Sequence, residues 1–273
     1  MNKTKIEWVK NPDGTQGYTW NPITGCLNGC DYCYARKLAN GRLKARYLAN
    51  SNIAFPKDVQ GSWGIVKVEE KLSNPFYPRW WENKEREPCH YNRDFIIDYE
   101  SEKGVFVCSM SDLFGIGIPG EWQDKVFRTI DYCPNDRFYL LTKQPQNLIK
   151  FSPFPDNCWV GVSVPDRSMG VRATLHLKGI QAKVKYISFE PLLQNMDGWI
   201  KSNLIHDIDW VIIGSQTKPD IQPKIEWVKE IVEAADKANI PVFLKDSLNS
   251  ENLPPNAFNE QGMVRREMPA SGY

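Results

Sequence analysis

Apolar positions along the chain group into short unbroken runs and longer, helically spaced stripes. The runs lie at residues 105–110, 138–142, 159–163, 184–189, 210–213 and 242–244. Runs of this length that are apolar throughout fit strands buried on both faces. Residues 18–24 read as a further strand at the start of the series, so seven are expected. Between most of them the spacing turns helical. Trp122, Val126, Phe127 and Ile130 follow Pro119-Gly120 at helical intervals. Ile225, Val228, Ile231, Val232 and Ala235 form a stripe, with Glu226, Lys229, Glu230, Glu233 and Lys237 on the opposite face. Asn239 and Pro241 end that helix. Strands alternating with helices predict an α/β fold with a parallel sheet. Right-handed crossovers would curl the sheet into a full or partial (β/α) barrel.

Elsewhere the pattern is weaker. Tyr34, Leu38, Ala45 and Leu48 suggest a helix over 34–48, weakened by Gly41. Residues 1–18 are polar, with a Pro12-Asp13-Gly14 turn; Ile6-Glu7-Trp8 is expected to pack an edge of the fold. Residues 49–103 are irregular. They include a short apolar run at 64–68, read as a strand, then Phe76-Tyr77-Pro78-Arg79-Trp80-Trp81 and a charged run from Glu82 to Glu87. Aromatics beside arginine can stack on a base, making Arg79, Trp80 and Trp81 candidate substrate contacts; the other reading is a lid that packs its own small core. Residues 247–273, with Pro254-Pro255, read as a loosely ordered tail after a domain spanning 1–246.

Composition narrows the classes. The 273 residues are 41% hydrophobic and 25% charged, as in ordinary soluble globules. A net charge of +1 provides no whole-protein field toward nucleic acid or membrane. Arg36, Lys37, Arg42, Lys44 and Arg46 form a local basic run, either a solvated helix face or a phosphate track. No apolar stretch long enough to span a membrane occurs, and residues 1–10 lack the apolar segment of a signal peptide. The seven cysteines are odd in number, and Cys89, Cys108, Cys133 and Cys158 stand singly, which argues for a reducing compartment. A cytoplasmic protein is expected.

The remaining three cysteines carry the chemistry. Cys26, Cys30 and Cys33 follow one another as C-x3-C-x2-C, with Tyr32 before the third. Thiolates favour iron–sulfur clusters or zinc. Three cysteines leave one iron of a [4Fe–4S] cluster open, since full ligation takes four. A structural zinc would be one ligand short, and Cys89-His90 offers the fourth. Zinc sites more often come as paired couples.

Cys26, Cys30, Tyr32 and Cys33 resemble the C-x3-C-x-aromatic-C motif of radical S-adenosylmethionine (SAM) enzymes. Further blocks resemble a phage-associated branch of that superfamily: residues 19–26 (TWNPITGC), 109–114 (SMSDLF), 141–143 (LTK), 159–163 (WVGVS), 187–193 (ISFEPLL) and 209–214 (DWVIIG). Together they span most of residues 4–246. Compared with that pattern, about 79–103 stands as an insertion within the irregular stretch 49–103. The branch tends to carry two glycines and then Glu-Ser-Gly at the last block; here Ser215-Gln216-Thr217 stands instead.

In a parallel barrel the polar residues after each strand converge on one mouth. On the strand reading these include Ser109, Ser111, Asp112, Thr142, Lys143, Ser163, Ser188, Glu190, Gly214, Ser215, Gln216, Lys245 and Asp246. The resemblance implies a [4Fe–4S] cluster on Cys26, Cys30 and Cys33, with SAM chelated to the open iron. It further implies that Ser109, Ser111 and Asp112 contact the methionine amine. Ser163 is assigned to ribose, and Glu190 to ribose or the amine. Tyr32 belongs to the cofactor loop, and Gly214-Ser215 lets backbone approach adenine. Lys143 and Lys245 are candidates for clamping a substrate carboxylate or phosphate, or for pairing with Glu190. Strand-end serines also commonly cap the next helix. His90, His176 and His206 lie away from the strand ends.

The implied activity is reductive cleavage of SAM and hydrogen abstraction from a substrate by the 5′-deoxyadenosyl radical. An external one-electron reductant of flavodoxin or ferredoxin type is implied as partner. Phage association, part of the resemblance, points to nucleic acid or a nucleotide as substrate, for example a hypermodified thymine of phage DNA; a tRNA base and a peptide are the alternatives. A zinc-stabilised, non-catalytic nucleic-acid-binding module is the rival reading.

Overall fold

The computed structural model describes residues 1–55, 62–89, 102–196, 198–200 and 207–270. The chain is mixed α/β and divides into two compact units. The first comprises residues 1–5 and 9–140, the second residues 6–8 and 141–273.

The strands of the first unit begin with β1 (Asn2–Lys3), antiparallel to β2 (Tyr18–Trp20). The strand β5 (Gly104–Val107) lies parallel to β2, and β6 (Arg137–Thr142) parallel to β5. A separate two-stranded ribbon pairs β3 (Ile23–Thr24) antiparallel with β4 (Arg79–Trp80). Gly41 splits the helix expected at 34–48 into α1 (Tyr34–Asn40) and α2 (Lys44–Leu48). The apolar run at 64–68 is not a strand: it lies in helix α3 (Ser62–Ser73). Ile65, Val68 and Leu72 have helical spacing, and a short apolar run alone does not separate strand from helix. Helix α4 (Gly120–Asp131) buries Trp122, Val126, Thr129 and Ile130, the face its apolar spacing specifies.

In the second unit, β7 (Cys158–Ser163), β8 (Val184–Phe189), β9 (Trp210–Ile213) and β12 (Val242–Leu244) are parallel in that order. Every residue of β7, β9 and β12 is buried, as continuous apolar runs demand. Helix α5 (Arg167–Lys178) joins β7 to β8, and α6 (Ile225–Lys237) precedes β12. A hairpin of β10 (Gln216–Thr217) and β11 (Asp220–Ile221) follows β9. Trp8 does not pack an edge. It is 1% exposed and meets Tyr186 and Trp210 at ring-centroid distances of 5.8 and 5.9 Å. Trp159 and Phe243 also pack on Trp210. Room for this aromatic cluster requires Gly161, because a Cβ there would stand 2.3 Å from the Tyr186 ring.

Residues 247–270 are docked rather than loosely ordered. Leu248 and Ala257 are buried. Leu244 N–H donates to the Arg265 carbonyl at 2.9 Å, and Trp210 Nε1 to the Glu267 carbonyl at 2.9 Å. Arg265 pairs with Asp236 of α6 at 2.7 Å and with Glu267 at 2.8 Å. The turn-rich composition hides this because long-range backbone pairing leaves no local periodicity. Among the described residues no helix is long and apolar enough to cross a membrane.

Candidate functional site

The cysteine loop follows β3 directly. Gly25 makes the turn at φ +86°, and a Cβ there would lie 2.4 Å from the Tyr77 carbonyl oxygen. Only glycine meets both conditions without strain. Cys26 N–H donates to the Phe76 carbonyl at 3.0 Å, and Cys33 N–H to the Cys30 carbonyl at 3.3 Å. Cys33 is also the N-cap of α1: its sulfur accepts from Arg36 N–H at 3.4 Å. The sulfur of Cys26 accepts from Asn28 N–H at 3.4 Å. None of the three is disulfide-bonded, and all are partly exposed. Tyr32, between the second and third, is half-buried.

A second segment braces the loop. Cys108 ends β5 with φ +59°, a left-handed conformation unusual for a non-glycine residue. The turn that follows delivers Ser109, Ser111 and Asp112. Ser109 Oγ donates to Asn21 Oδ1 at 3.1 Å, and Asn21 Oδ1 also accepts from Met110 N–H at 2.9 Å. Tyr34 donates its hydroxyl proton to the Ser109 carbonyl. Ser111 Oγ donates to the Gly25 carbonyl, and Gly25 N–H to the Met110 carbonyl at 2.9 Å. Asp112, 6% exposed, accepts from Asn28 Nδ2 at 2.7 Å and from Phe114 N–H at 3.1 Å. The hydroxyls of Ser109 and Ser111 are thus engaged with the protein itself. Asn21, Asn28 and Tyr34 are positioning residues that sequence reasoning missed. Asn21 and Asn28 stand inside its two motif blocks, beside the residues it singled out.

Burial pushes the Cys26 thiol up to about 12, with the nearby Asp112 carboxylate and the other two cysteines adding to the effect and Asn28 N–H opposing it. As a bare thiolate Cys26 is therefore disfavoured; an electropositive group bound at sulfur would offset that. Among the described residues, no three His, Cys, Asp or Glu side chains close around one point as ligands of a single metal ion. A [4Fe–4S] cluster sets a different demand, because each thiolate takes its own iron. The three cysteines lie on one loop without disulfides, and the sulfurs of Cys26 and Cys33 accept backbone N–H bonds. His90, the fourth zinc ligand considered above, and His206 lie outside the described residues.

The aromatic segment 76–81 departs from the substrate-contact reading. Arg79 is fully buried, and its guanidinium donates to the carbonyls of Asn50, Leu72 and Asn74. Burial lowers its proton affinity. Trp80 is 1% exposed and packs on Trp122 of α4 at 5.9 Å. Both residues are core, held by the β3–β4 pairing Ile23↔Trp80 and Thr24↔Arg79. Phe76 and Tyr77 are buried too, with their carbonyls against Gly25. A run of bulky aromatics on a two-stranded ribbon is drawn into the core by its own area. Trp81 differs: it is half-exposed, and its Nε1 donates to Thr24 Oγ1 at 2.8 Å. It packs against the same buried cluster as Cys26 and Cys33, formed by Ala35, Ala39, Tyr47 and Phe76.

The other predicted residues gather within the second unit. Lys143 Nζ donates to Ser163 Oγ, which donates to the Glu190 carbonyl at 3.1 Å. Lys245 and Glu190 form an ion pair with side-chain exposures of 11% and 28%. Gly214 leaves room for it: a Cβ there would meet Lys245 Cδ at 3.0 Å, Ser247 Oγ at 3.2 Å and Glu190 Cγ at 3.4 Å. Ser188, in register with Ser163, is fully buried, and its hydroxyl has no partner among the described residues. Ser215 is committed to structure, donating Oγ to the Ser247 carbonyl and N–H to Ser247 Oγ at 3.1 Å. Gln216-Thr217 forms the first strand of the β10–β11 hairpin. Asp246 pairs with Arg266, and its N–H donates to Glu7 Oε2 at 2.6 Å.

A model of a family of proteins of unknown function, DUF5131, matches residues 3–264, and the chain belongs to that family. No curated protein and no solved structure matches the chain.

Proposed function

We propose that the protein is a radical SAM enzyme that reductively cleaves S-adenosylmethionine and abstracts hydrogen from a nucleotide or nucleic-acid substrate. The observation that carries this reading is the loop itself. Three cysteines without disulfides stand at C-x3-C-x2-C spacing on one loop, and two of the sulfurs accept backbone N–H bonds. When bound, a [4Fe–4S] cluster with one open iron supplies the electron that splits SAM into methionine and a 5′-deoxyadenosyl radical.

On this reading Cys26, Cys30 and Cys33 hold the cluster, and Tyr32 shields one side of the loop. Asn28 and Asp112 fix the loop against the turn after β5, with Asp112 carrying the charge suited to an amine. Ser109 and Ser111 act by positioning, since their hydroxyls already serve Asn21 and Gly25. Ser163, Glu190 and Gly214 remain the proposed contacts for ribose and adenine, with Lys143 and Lys245 for a substrate anion. The reading includes a full or partial parallel barrel, a cytoplasmic location and an external one-electron reductant.

Anaerobic purification and reconstitution test it. Brown protein with bound iron and sulfide, absorbing broadly near ~400 nm, is expected to release 5′-deoxyadenosine from SAM on addition of dithionite. Colourless protein holding one zinc and no iron would overturn the reading in favour of a zinc-stabilised binding module.

A further inference from the structure

Two features that stand apart in the sequence meet on one face of the first unit. Residues 34–48 carry five cations and no acid. Trp81 and Lys84 come from the segment after β4. In the fold Arg46 lies over the Trp81 ring at 5.4 Å and Lys84 over it at 5.6 Å. Arg36, on α1, lies over the Phe76 ring at 5.6 Å and donates to the Cys30 carbonyl at 3.5 Å. Lys37, Arg42, Lys44 and Arg46 are exposed.

Two acids of the segment after Trp81 have partners outside this face. Glu85 pairs with Lys125 at 4.0 Å, and Glu87 with the N-terminal ammonium at 3.0 Å. Among the described residues, Glu82, next to Trp81 in sequence, and Asp31 in the cysteine loop are exposed. Lys84 is held below its ordinary proton affinity by burial and by Arg46, against the pull of Glu87. Such a cationic surface gains from a polyanion that brings charge from outside. With a net charge of only +1 for the chain, the concentration is local.

We propose that α1, α2 and the Trp81–Lys84 turn form a docking face for single-stranded nucleic acid, with phosphates on Arg42, Lys44, Arg46 and Lys84 and an unpaired base on Trp81. Cations pair with phosphates wherever they cluster. A partly buried indole among them, packed on Tyr47 at a ring-centroid distance of 5.9 Å, offers its exposed part to a strand with free bases, which a purely electrostatic partner would not use. The face adjoins the cysteine loop through Arg36 and through the buried cluster that Trp81 shares with Cys33. The proposal rests on the catalytic reading for its purpose, since it delivers a strand to that loop, but its binding test needs neither cluster nor SAM.

Fluorescence anisotropy with a labelled single-stranded DNA oligonucleotide is the test, on the full chain. Binding should weaken with salt at a log–log slope of about −3, at roughly −0.7 per phosphate for four contacts. That slope is measured on unmutated protein and is independent of how variants fold. Combining Arg42→Glu, Lys44→Glu and Arg46→Glu should weaken binding by about ten-fold or more. Trp81→Leu should weaken it by about five-fold or more, while Lys229→Glu with Lys237→Glu on α6 should leave it unchanged. Poly-glutamate binding as tightly as the oligonucleotide would overturn the proposal in favour of an acidic protein partner. A duplex binding more tightly than the single strand would overturn it as well. Oligonucleotide binding without SAM cleavage would refute the catalytic reading alone; SAM cleavage without oligonucleotide binding would refute this one alone.

Discussion

Asn28 Nδ2 donates to Asp112 Oδ2 at 2.7 Å, tying the middle of the cysteine loop to the turn after β5. The two residues are 84 positions apart, and Asp112 is 6% exposed. A buried carboxylate is tolerable only while its hydrogen bonds are made. Asn28→Ala should therefore cost about 1–3 kcal/mol, and Asp112→Ala a similar amount. The double variant should cost less than the sum, because each single change removes the same bond. Urea denaturation of the four proteins measures this coupling. Additive losses would show that Asp112 is held by Phe114 N–H and the surrounding backbone rather than by Asn28.

Iron content separates the cysteines. Cys26→Ala, Cys30→Ala and Cys33→Ala should each lose iron in anaerobic reconstitution, while Cys89→Ala keeps it. Cys89 instead faces Cys133, with the sulfurs 2.9 Å apart. Iron and sulfide assays per chain give the comparison. Full iron in any one of the three loop variants would remove that residue as a ligand.

Legibility in the sequence followed locality. The strands after residue 104 were readable because buried parallel strands are apolar at every position, as β7 and β9 are. The end of α6 was written in single residues, whereas Gly41 reads as weakening one helix and in fact divides two. What failed depended on distant partners. Trp8 reads as an edge residue until Tyr186 and Trp210 enclose it. Residues 247–270 read as a tail until Arg265 and Glu267 pair with α6 and β12. In the candidate site, the cysteine spacing was plain, but the commitments of Ser109 to the Asn21 side chain and of Ser111 and Ser215 to backbone carbonyls were not. A strand-end serine looks the same in sequence whether its hydroxyl faces a ligand or a neighbouring loop.

Arg79 and Trp80 should behave as core residues in any assay. Trp80→Ala should cost about 3–5 kcal/mol. Arg79→Ala strips donors from the carbonyls of Asn50, Leu72 and Asn74 and should cost at least ~3 kcal/mol, with each abandoned acceptor contributing. Trp81→Leu, at a half-exposed position, should cost markedly less than Trp80→Ala. Thermal melts of the three variants rank them. A Trp80→Ala protein as stable as the parent would place that ring outside the core.

The Glu190–Lys245 pair offers the last test, because its two halves have unequal surroundings. Lys245 has a side-chain exposure of 11% against 28% for Glu190. Removing the carboxylate strands the more buried charge, whereas removing the ammonium leaves Glu190 with a path to water. Glu190→Ala should thus cost more stability than Lys245→Met, with losses of about 1–3 kcal/mol, discounted because the pair is only partly buried. The double variant should recover part of the Glu190→Ala loss, since the stranded charge goes with it. Ligand affinity then reports the second role. If Glu190 contacts SAM, the double variant regains stability without regaining SAM binding, as read by calorimetric titration. Recovery of both together would mean that Glu190 serves only to neutralise Lys245, and would remove it from the proposed cofactor contacts.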